Sequence, residues 1–308
     1  MANALNVGFV GLGNMGWPMA RNLARAGFRV TVRDADSARQ KRFAEEHAAR
    51  AADGPAAFHE VDAVVTMLPT GRIVREVMLE WQGGLAGALA RDAIVVDMSS
   101  SDPMGTRELG KVLGANGVAL VDAPVSGGVP KAEAGTLAIM VGGDDAAAIE
   151  RVRPVLAAMG QKLFSTGPLG SGHAMKALNN YVAAAGFTAA AEALIVGCKF
   201  GLDPAVMVEI LNASTGRNFS TEYTMKEHVL PRKFATGFAL GLLAKDVGIA
   251  ADLVEAIGAD APVCRLLREL WAEAATAMGG SVDHSAALRH WEQANGVELP
   301  PRPRAEAG

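Results

Sequence analysis

A strand-to-helix turn near the N-terminus constrains this chain more than any other feature. Residues 7–10 are apolar enough for a buried strand, and the chain continues Gly11-Leu12-Gly13-Asn14-Met15-Gly16. Three glycines at this spacing allow a tight turn, close approach of a pyrophosphate to the backbone, and close packing of the next helix on the strand. The start of that helix presents N–H groups and the positive end of its dipole to phosphates. The pattern predicts a dinucleotide site formed by residues 11–16.

The residues after this turn support the same interpretation and indicate which dinucleotide is used. A helical apolar face follows the turn, Gly27 is placed to end that helix, and residues 28–32 read as a second strand. Asp34 comes directly after it, where a carboxylate would accept hydrogen bonds from the adenosine ribose hydroxyls. Ala35, not an arginine, follows Asp34, so NAD is favoured, while Arg33 and Arg39 keep NADP open. The alternative is an ordinary strand-to-helix turn in a glycine-rich chain.

Composition limits the remaining classes of function. The chain has 308 residues, of which 50% are hydrophobic and 20% charged, enough for two domains with well-buried cores. The net charge of −4, without a basic cluster, gives no reason to bind nucleic acid or an anionic membrane. Cys198 and Cys264 lack metal-ligand spacing and are expected to be buried thiols, and no metal site is predicted. No secretion signal or uncharged run of membrane-spanning length is visible, which predicts a cytoplasmic protein.

The pattern of elements changes in the middle of the chain. Strand-like runs alternate with helical segments in the first half, at residues 61–68, 93–98, 117–121, 137–141 and 162–164. The second half has only helical spacing, at residues 174–200, 204–211, 242–257 and 262–278. We predict an α/β Rossmann-type, mostly parallel sheet domain over residues 1–165, followed by an all-α domain over residues 166–308. The long helix near 172–200 would join them and line their cleft, and the proline-rich tail from Leu299 is expected to fray.

Three loops follow strands at the sheet edge where ligands bind in such folds. Met67-Leu68-Pro69 ends one strand and offers apolar surface to an adenine or ribose, and Ser99-Ser100-Ser101-Asp102-Pro103 ends the next. That second loop fits a helix N-cap and a cofactor contact equally well. Asp122-Ala123-Pro124-Val125-Ser126-Gly127-Gly128 places a hydroxyl beside consecutive backbone N–H groups. It predicts a concave anion site, with a plain glycine loop as the alternative.

The sharpest chemical feature lies at the start of the long helix. Lys176 and Asn180 are four residues apart and share one helical face among mostly apolar neighbours. A lysine in a dry cleft has a lowered pKa and can exchange a proton with a substrate hydroxyl near neutral pH. A snorkelling lysine is the alternative. His173 is more simply explained as structural, and Lys245-Asp246 interrupts an apolar helical pattern, with a surface ion pair as its alternative.

Taken together, these motifs resemble the β-hydroxyacid dehydrogenases over almost the whole chain, from residue 7 to about residue 296. The resemblance implies a Rossmann domain, a helical domain, an active site between them, and assembly as homodimers or homotetramers. It implies Lys176 as the catalytic lysine, Asn180 as an amide beside the substrate, and Ser126, Gly127 and Gly128 as the loop that binds its carboxylate. The cofactor-binding set that it implies comprises Gly11, Leu12, Gly13, Asn14, Met15, Gly16, Asp34, Met67, Leu68, Pro69, Ser100 and Lys245.

The function expected from this resemblance is reversible, NAD-dependent oxidation of a small 3-hydroxy acid, such as 3-hydroxyisobutyrate, with a lysine as general acid and base. Three alternatives stay open at this point: an aldonate dehydrogenase, an NADPH-dependent semialdehyde reductase, and a non-catalytic dinucleotide-binding module. The intact Lys176 and the absence of a basic extension argue against the last.

Overall fold

The computed structural model describes residues 5–300, which form two compact units. The first unit ends at Lys176 and the second begins at Ala177.

Within the described part of the first unit, residues 5–176, one sheet of nine strands organises the fold. Its strands are β1 (Asn6–Val10), β2 (Arg29–Arg33), β3 (Arg50–Ala51), β4 (Ala63–Thr66), β5 (Ile94–Asp97), β6 (Ala119–Asp122), β7 (Val125–Ser126), β8 (Leu137–Gly142) and β9 (Gly160–Gly167). The order is β3-β2-β1-β4-β5-β6-β8-β7, with β9 paired to β8. The pairs from β3 through β6 and the β8–β9 pair are parallel, whereas β8 runs antiparallel to β6 and β7. The predicted mostly parallel Rossmann-type sheet is confirmed.

Helices follow the strands of this sheet in alternation. They are α1 (Gly16–Arg25), α2 (Ser37–His47), α3 (Gly71–Leu79), α4 (Leu85–Ala88), α5 (Pro103–Ala115), α6 (Gly128–Ala134) and α7 (Ala146–Ala157). Two buried apolar clusters form the core, one around Phe9, Met19 and Phe43 and the other around Phe58 and Met78. The central strands β4 and β5 are buried along their whole length and contribute to both clusters. Such burial on both faces explains why they read as continuous apolar runs rather than alternating ones.

The second unit is built from helices. They are α8 (Ser171–Phe200), whose first turns belong to the first unit, α9 (Pro204–Ala213), α10 (Leu240–Ala256), α11 (Pro262–Met278) and α12 (Ala287–Asn295). Trp271 is fully buried in the core beside Phe187 and Trp291, and its indole N–H donates to the hydroxyl of Thr188 at 3.0 Å. The predicted all-α half is confirmed, and α11 has the bounds of the helical segment predicted for residues 262–278.

Two features of the second unit differ from what the sequence predicts. Residues Ser220–Val229 form a π-helix, which no apolar periodicity indicated. The chain is not frayed at Leu299, which is fully buried and donates its N–H to Glu292 at 2.8 Å. An apolar side chain with a backbone hydrogen bond is held even where prolines prevent a helix. The part of the predicted tail from residue 301 lies outside the described residues.

By length and composition, α8 alone among the helices of residues 5–300 could cross a membrane. A single helix of this kind is weak evidence for a membrane span, because long core helices meet the same criteria. In the structure, 44% of its most apolar window is buried within the protein.

Candidate active site

The glycine turn after β1 has the geometry that its sequence predicts. Gly11 has a φ of +101°, and a Cβ there would lie 2.3 Å from the carbonyl oxygen of Met67. A Cβ on Gly16 would lie 1.8 Å from the carbonyl oxygen of Gly11, so the turn closes only with glycine at both positions. Gly13 is exposed, and a Cβ there would meet no atom within 4 Å. The middle glycine is therefore not required by packing, and its open side is where a pyrophosphate would approach the start of α1.

Asp34 follows β2 and is buried against this turn. Its Oδ2 accepts the Leu12 N–H at 2.6 Å, and its Oδ1 accepts the Asp36 N–H at 2.8 Å. The Arg39 guanidinium lies 3.6 Å from Oδ1. A carboxylate has about four acceptor sites, so these bonds leave capacity for ribose hydroxyls. Asp34 therefore shapes the glycine turn as well as being the predicted ribose ligand.

Asp36 ends the loop after Asp34 and caps α2. Its carboxylate accepts the Arg39 N–H at 3.0 Å. This hydrogen bond lowers the pKa of Asp36, and the nearby positive charge of Arg39 lowers it further. The loop thus keeps two carboxylates and one arginine together at the end of β2.

The loops after β4 and β5 are tied to each other. Leu68 donates its N–H to the hydroxyl of Ser99 at 2.9 Å, and Met67 donates its N–H to Val10 at 2.9 Å. Met67 and Leu68 are half-buried, while Pro69 is exposed. Of the two interpretations of the serine loop, capping belongs to Asp102, whose carboxylate accepts the N–H of Gly105 at 2.6 Å. The assignment of Ser100, which is half-buried, to the cofactor stays a prediction.

The predicted anion loop lies between β7 and α6. Ser126 ends β7, and Gly127 and Gly128 follow with φ of +136° and +66°. A Cβ on Gly127 would lie 2.5 Å from Cδ of Lys131, so the stem of this lysine packs over the loop. Lys131 was not predicted as part of this loop from the sequence. Its carbon stem lies beside the backbone N–H groups expected to bind a carboxylate.

Lys176 is half-buried on the second turn of α8. Among its apolar neighbours Ala177 is buried, but Met175 and Leu178 are 45% and 37% exposed. These neighbours do not by themselves enclose the amine, contrary to what their apolar character suggested. The catalytic assignment of Lys176 stays a prediction.

Polar side chains at the ends of three neighbouring strands form a buried row that the sequence did not reveal. Thr66 of β4 lies opposite Asp97 of β5, and Asp97 lies opposite Asp122 of β6. All three are at most 2% exposed. Thr66 donates its hydroxyl to Asp97 at 2.9 Å, and Ser101 donates to the same carboxylate at 2.7 Å. The row brings two buried carboxyl groups under the sheet edge where ligands bind in such folds.

Asn180 and Lys245 belong to the second unit, and both contact Asp246 there. Asn180 donates its side-chain N–H to Asp246 at 2.6 Å, and the Lys245 amine lies 2.9 Å from the same carboxylate. Asp246 is only 3% exposed. The ion pair of the predicted alternative is present, but its carboxylate is buried and the lysine is only partly exposed, so it does not lie on the open surface. Their roles beside substrate and cofactor stay predictions.

Among residues 5–300, no group of three or more His, Cys, Asp or Glu side chains is arranged to hold a metal ion. Cys264 is buried and Cys198 partly buried, and neither forms a disulfide. Burial raises the pKa of both thiols.

The strand order, the closed glycine turn and the carboxylate after β2 define a protein that binds a dinucleotide cofactor. The residues present fit that cofactor, because the open side of Gly13 and the start of α1 would hold its pyrophosphate and Asp34 its adenosine ribose.

Comparisons with known proteins identify the family. Residues 6–167 match the model of the NAD-binding domain of 6-phosphogluconate dehydrogenase, and residues 170–291 match the NAD-binding model of NADP-dependent 3-hydroxyisobutyrate dehydrogenase. The chain is 37% identical to 2-(hydroxymethyl)glutarate dehydrogenase of Eubacterium barkeri, over 97% of this chain and 99% of that protein. It is 38% identical to 3-hydroxyisobutyrate dehydrogenase of Pseudomonas aeruginosa, over 86% and 91%.

A solved structure agrees with these relatives. The 3-hydroxyisobutyrate dehydrogenase of Mycobacterium tuberculosis, with L-serine, superimposes with a TM-score of 0.85 at 35% identity, covering 94% of this chain and 99% of that one. The chain belongs to the β-hydroxyacid dehydrogenase family, whose members are NAD- or NADP-dependent oxidoreductases acting on CH–OH groups. The predicted family, enzyme class and cofactor type are confirmed.

Proposed function

We propose that this enzyme oxidises the primary hydroxyl of a 3-hydroxy acid reversibly, with NAD as the preferred cofactor and Lys176 as general acid and base. The relatives support a narrower substrate class. 3-Hydroxyisobutyrate, L-serine and 2-(hydroxymethyl)glutarate, the compounds named for them, all carry a hydroxymethyl group on the carbon next to a carboxylate. They differ only in the other substituent of that carbon, which is methyl, ammonium or a propionate chain. We infer that the substrate has this shared arrangement.

In the proposed mechanism, the backbone N–H groups of Ser126, Gly127 and Gly128 bind the substrate carboxylate. This places the substrate hydroxyl against Lys176. The amine of Lys176 accepts the hydroxyl proton during oxidation and returns it during reduction. When bound, NAD⁺ would supply the hydride acceptor for the carbon that bears this hydroxyl. Fixing the carboxylate orients the reacting carbon and so lowers the entropy cost of the reaction.

The observation that carries this proposal is that the first turn of α8, one turn before Lys176, is fixed to the sheet. α8 begins where β6 ends, because Asp122 accepts the N–H groups of Gly170 and His173, both at 2.8 Å. Lys176 follows three residues after His173, whose N–H is held at the carboxyl end of β6, and the glycine turn follows the carboxyl end of β1 in the same sheet.

Substitution Lys176→Met tests the role of the amine. Loss of a general acid and base typically lowers kcat by about 10²- to 10⁴-fold. NAD⁺ affinity, measured by calorimetry, is expected to change little. Lys162→Met on β9 is the matched control, since it removes an exposed lysine from the same unit. Retention of kcat within about tenfold in Lys176→Met would refute the role.

A substrate panel decides the class of acid. NADH formation is followed with 3-hydroxyisobutyrate, L-serine, 2-(hydroxymethyl)glutarate and short aldonates, and reduction of a semialdehyde is followed with NADPH. We expect the highest kcat/KM among the hydroxymethyl acids. A preferred aldonate, or a preference for NADPH with the semialdehyde, would replace this substrate assignment with one of the alternatives.

We further propose that residues 1–165 bind the cofactor and residues 166–308 serve substrate binding and assembly, in a cytoplasmic homodimer or homotetramer that binds neither nucleic acid nor membrane. Exposed apolar side chains on α8 support assembly, since Val182, Val196 and Phe200 are 64%, 66% and 84% exposed. Light scattering of the wild type and of the double variant Val196→Asp/Phe200→Asp tests the proposed assembly. A wild-type monomer at micromolar concentration would overturn it.

A further inference from the structure

A buried imidazole lies one turn before the proposed catalytic lysine. His173 is 1% exposed, and its Nδ1 lies 2.8 Å from the hydroxyl oxygen of Thr106 on α5. That hydroxyl donates its single proton to the carbonyl oxygen of Asp102 at 2.9 Å. With its proton given to Asp102, the Thr106 hydroxyl has lone pairs left to accept from Nδ1–H of His173, and this contact orients the ring.

The backbone of the same residue is held from the other side. Asp122 accepts the His173 N–H at 2.8 Å with one oxygen and the Gly170 N–H at 2.8 Å with the other. A Cβ on Gly172 would lie 2.4 Å from the carbonyl oxygen of Met140, so the helix start lies directly on the sheet. The first turn of α8 is thus fixed by its backbone to β6 and by one side chain to α5.

The second ring nitrogen has no hydrogen bond among the described residues. Nε2 of His173 lies 3.6 Å from Oδ2 of Asp97, beyond hydrogen-bond distance. That oxygen already accepts the Ser101 hydroxyl at 2.7 Å. The Thr106 contact is therefore what orients the ring. Because only Nδ1 makes a hydrogen bond among the described residues, substitutions that keep one ring nitrogen or the other can test the two separately.

We propose that His173 is a positioning residue for Lys176: its ring, bonded to Thr106, sets the location of the second turn of α8 and hence of the amine. This inference rests on the proposed role of Lys176. The two residues are three positions apart, so they share a helical face with Cβ atoms about 5–6 Å apart. Lys176 lies about 4.5 Å further along the helix axis, and a shift of the first turn is transmitted to it directly.

Four variants test the proposal in the full-length protein. His173→Ala removes the ring, and Thr106→Val removes the acceptor while keeping the shape. His173→Asn retains a donor nitrogen at the place of Nδ1, whereas His173→Gln retains one near the place of Nε2. Thr188→Val is the matched control, because it removes another buried threonine that accepts from a ring N–H, that of Trp271 in the second unit.

The expected pattern is a loss in kcat that follows the Nδ1 contact. A misplacement of about 1 Å costs about 10²-fold, so we expect His173→Ala and Thr106→Val to lower kcat by about 10- to 100-fold. KM for the hydroxy acid and Kd for NAD⁺ should change by less than about threefold. His173→Asn should recover most of kcat and His173→Gln should not. Thr188→Val should lower the melting temperature without lowering kcat.

Each contrary result has one meaning. If His173→Ala keeps kcat within about threefold of wild type, or if Gln rescues as well as Asn, the inference is wrong. A kcat loss in Thr188→Val equal to that in Thr106→Val would assign the effect to stability and also overturn it. Should His173→Ala not fold, Thr106→Val and His173→Asn decide. Lys176→Met, measured beside these, separates the two proposals: full activity in that variant refutes the proposed function, while its inactivity together with an active His173→Ala refutes only the positioning role.

Discussion

Replacing Asp34 by asparagine should weaken the preference for NAD over NADP. The substitution removes a negative charge from the end of β2, where the adenosine ribose is expected, and leaves the volume of the side chain unchanged. NADP carries its additional phosphate on that ribose, so the carboxylate would repel it. Arg39, whose guanidinium lies 3.6 Å from Oδ1 of Asp34, would then be available to the phosphate.

The magnitude follows from these contacts. Two unit charges about 4 Å apart repel by about 4 kcal/mol at an effective dielectric constant of about 20. Arg39 offsets part of this, so we expect the ratio of kcat/KM for NAD⁺ to that for NADP⁺ to fall by about 2 kcal/mol, or about 30-fold. The carboxamide of the Asp34→Asn variant can accept only one of the two N–H groups that Asp34 now accepts, from Leu12 and Asp36. The kcat/KM for NAD⁺ itself should therefore also decrease, and the ratio is the quantity to test.

Steady-state kinetics with both cofactors at saturating substrate measure that ratio. Asp36→Asn is the control, because this exposed carboxylate also lies 3.6 Å from Arg39 but is not the predicted ribose ligand. We expect the control to change the ratio by less than about threefold. If Asp34→Asn changed it no more than the control does, the electrostatic reasoning would be wrong.

Two further predictions concern the cofactor turn and the pH dependence of stability. Gly13→Ala should leave the melting temperature unchanged, since a Cβ there meets no atom within 4 Å. It should raise the Kd for NAD⁺ by at least about tenfold, because the methyl group occupies the side where the pyrophosphate approaches. An unchanged Kd for NAD⁺ would contradict this prediction. Burial lowers the pKa of His284 from its reference value of 6.5, so the unfolded chain takes up a proton that the folded chain does not. The free energy of unfolding should therefore fall as the pH drops below about 6.5. Urea midpoints measured between about pH 5 and 8 should depend less on pH in the His284→Gln variant than in the wild type. An equal pH dependence in the two proteins would contradict this prediction.

The fold was largely predictable because its signals are local. Strand and helix periodicities repeat along the chain, and the glycine turn specifies both the first crossover and its ligand. The π-helix at Ser220–Val229 was not predictable, since its hydrogen-bond pattern has no apolar period of its own. The ordered chain at Leu299 was missed for a different reason, because a buried contact with Glu292 in space overrides the local effect of prolines.

The candidate site could be predicted where a short sequence motif contains the relevant residues. It could not be predicted where residues become neighbours only through the pairing of strands. The glycine turn, the loop at Ser126 and the lysine on α8 could be named from their types and spacing. The row of Thr66, Asp97 and Asp122 could not, because these residues become neighbours only through the parallel pairing of β4, β5 and β6. Each one alone reads as an ordinary polar residue that ends a strand.

Acidic residues at the ligand-binding edge of the sheet also hold the backbone around them. Asp34 and Asp122 both follow or end strands at the ligand-binding edge, yet both accept two backbone N–H groups from loops or helices beside them. A buried carboxylate accepting two N–H groups is itself a structural element, and removing it leaves those donors without partners, at about 1–3 kcal/mol each. Loss of activity in an alanine variant at either position would therefore not identify a ligand. Only a change in preference between two cofactors can assign Asp34 to the ribose, and Asp122, which fixes the first turn of α8, should show no such change.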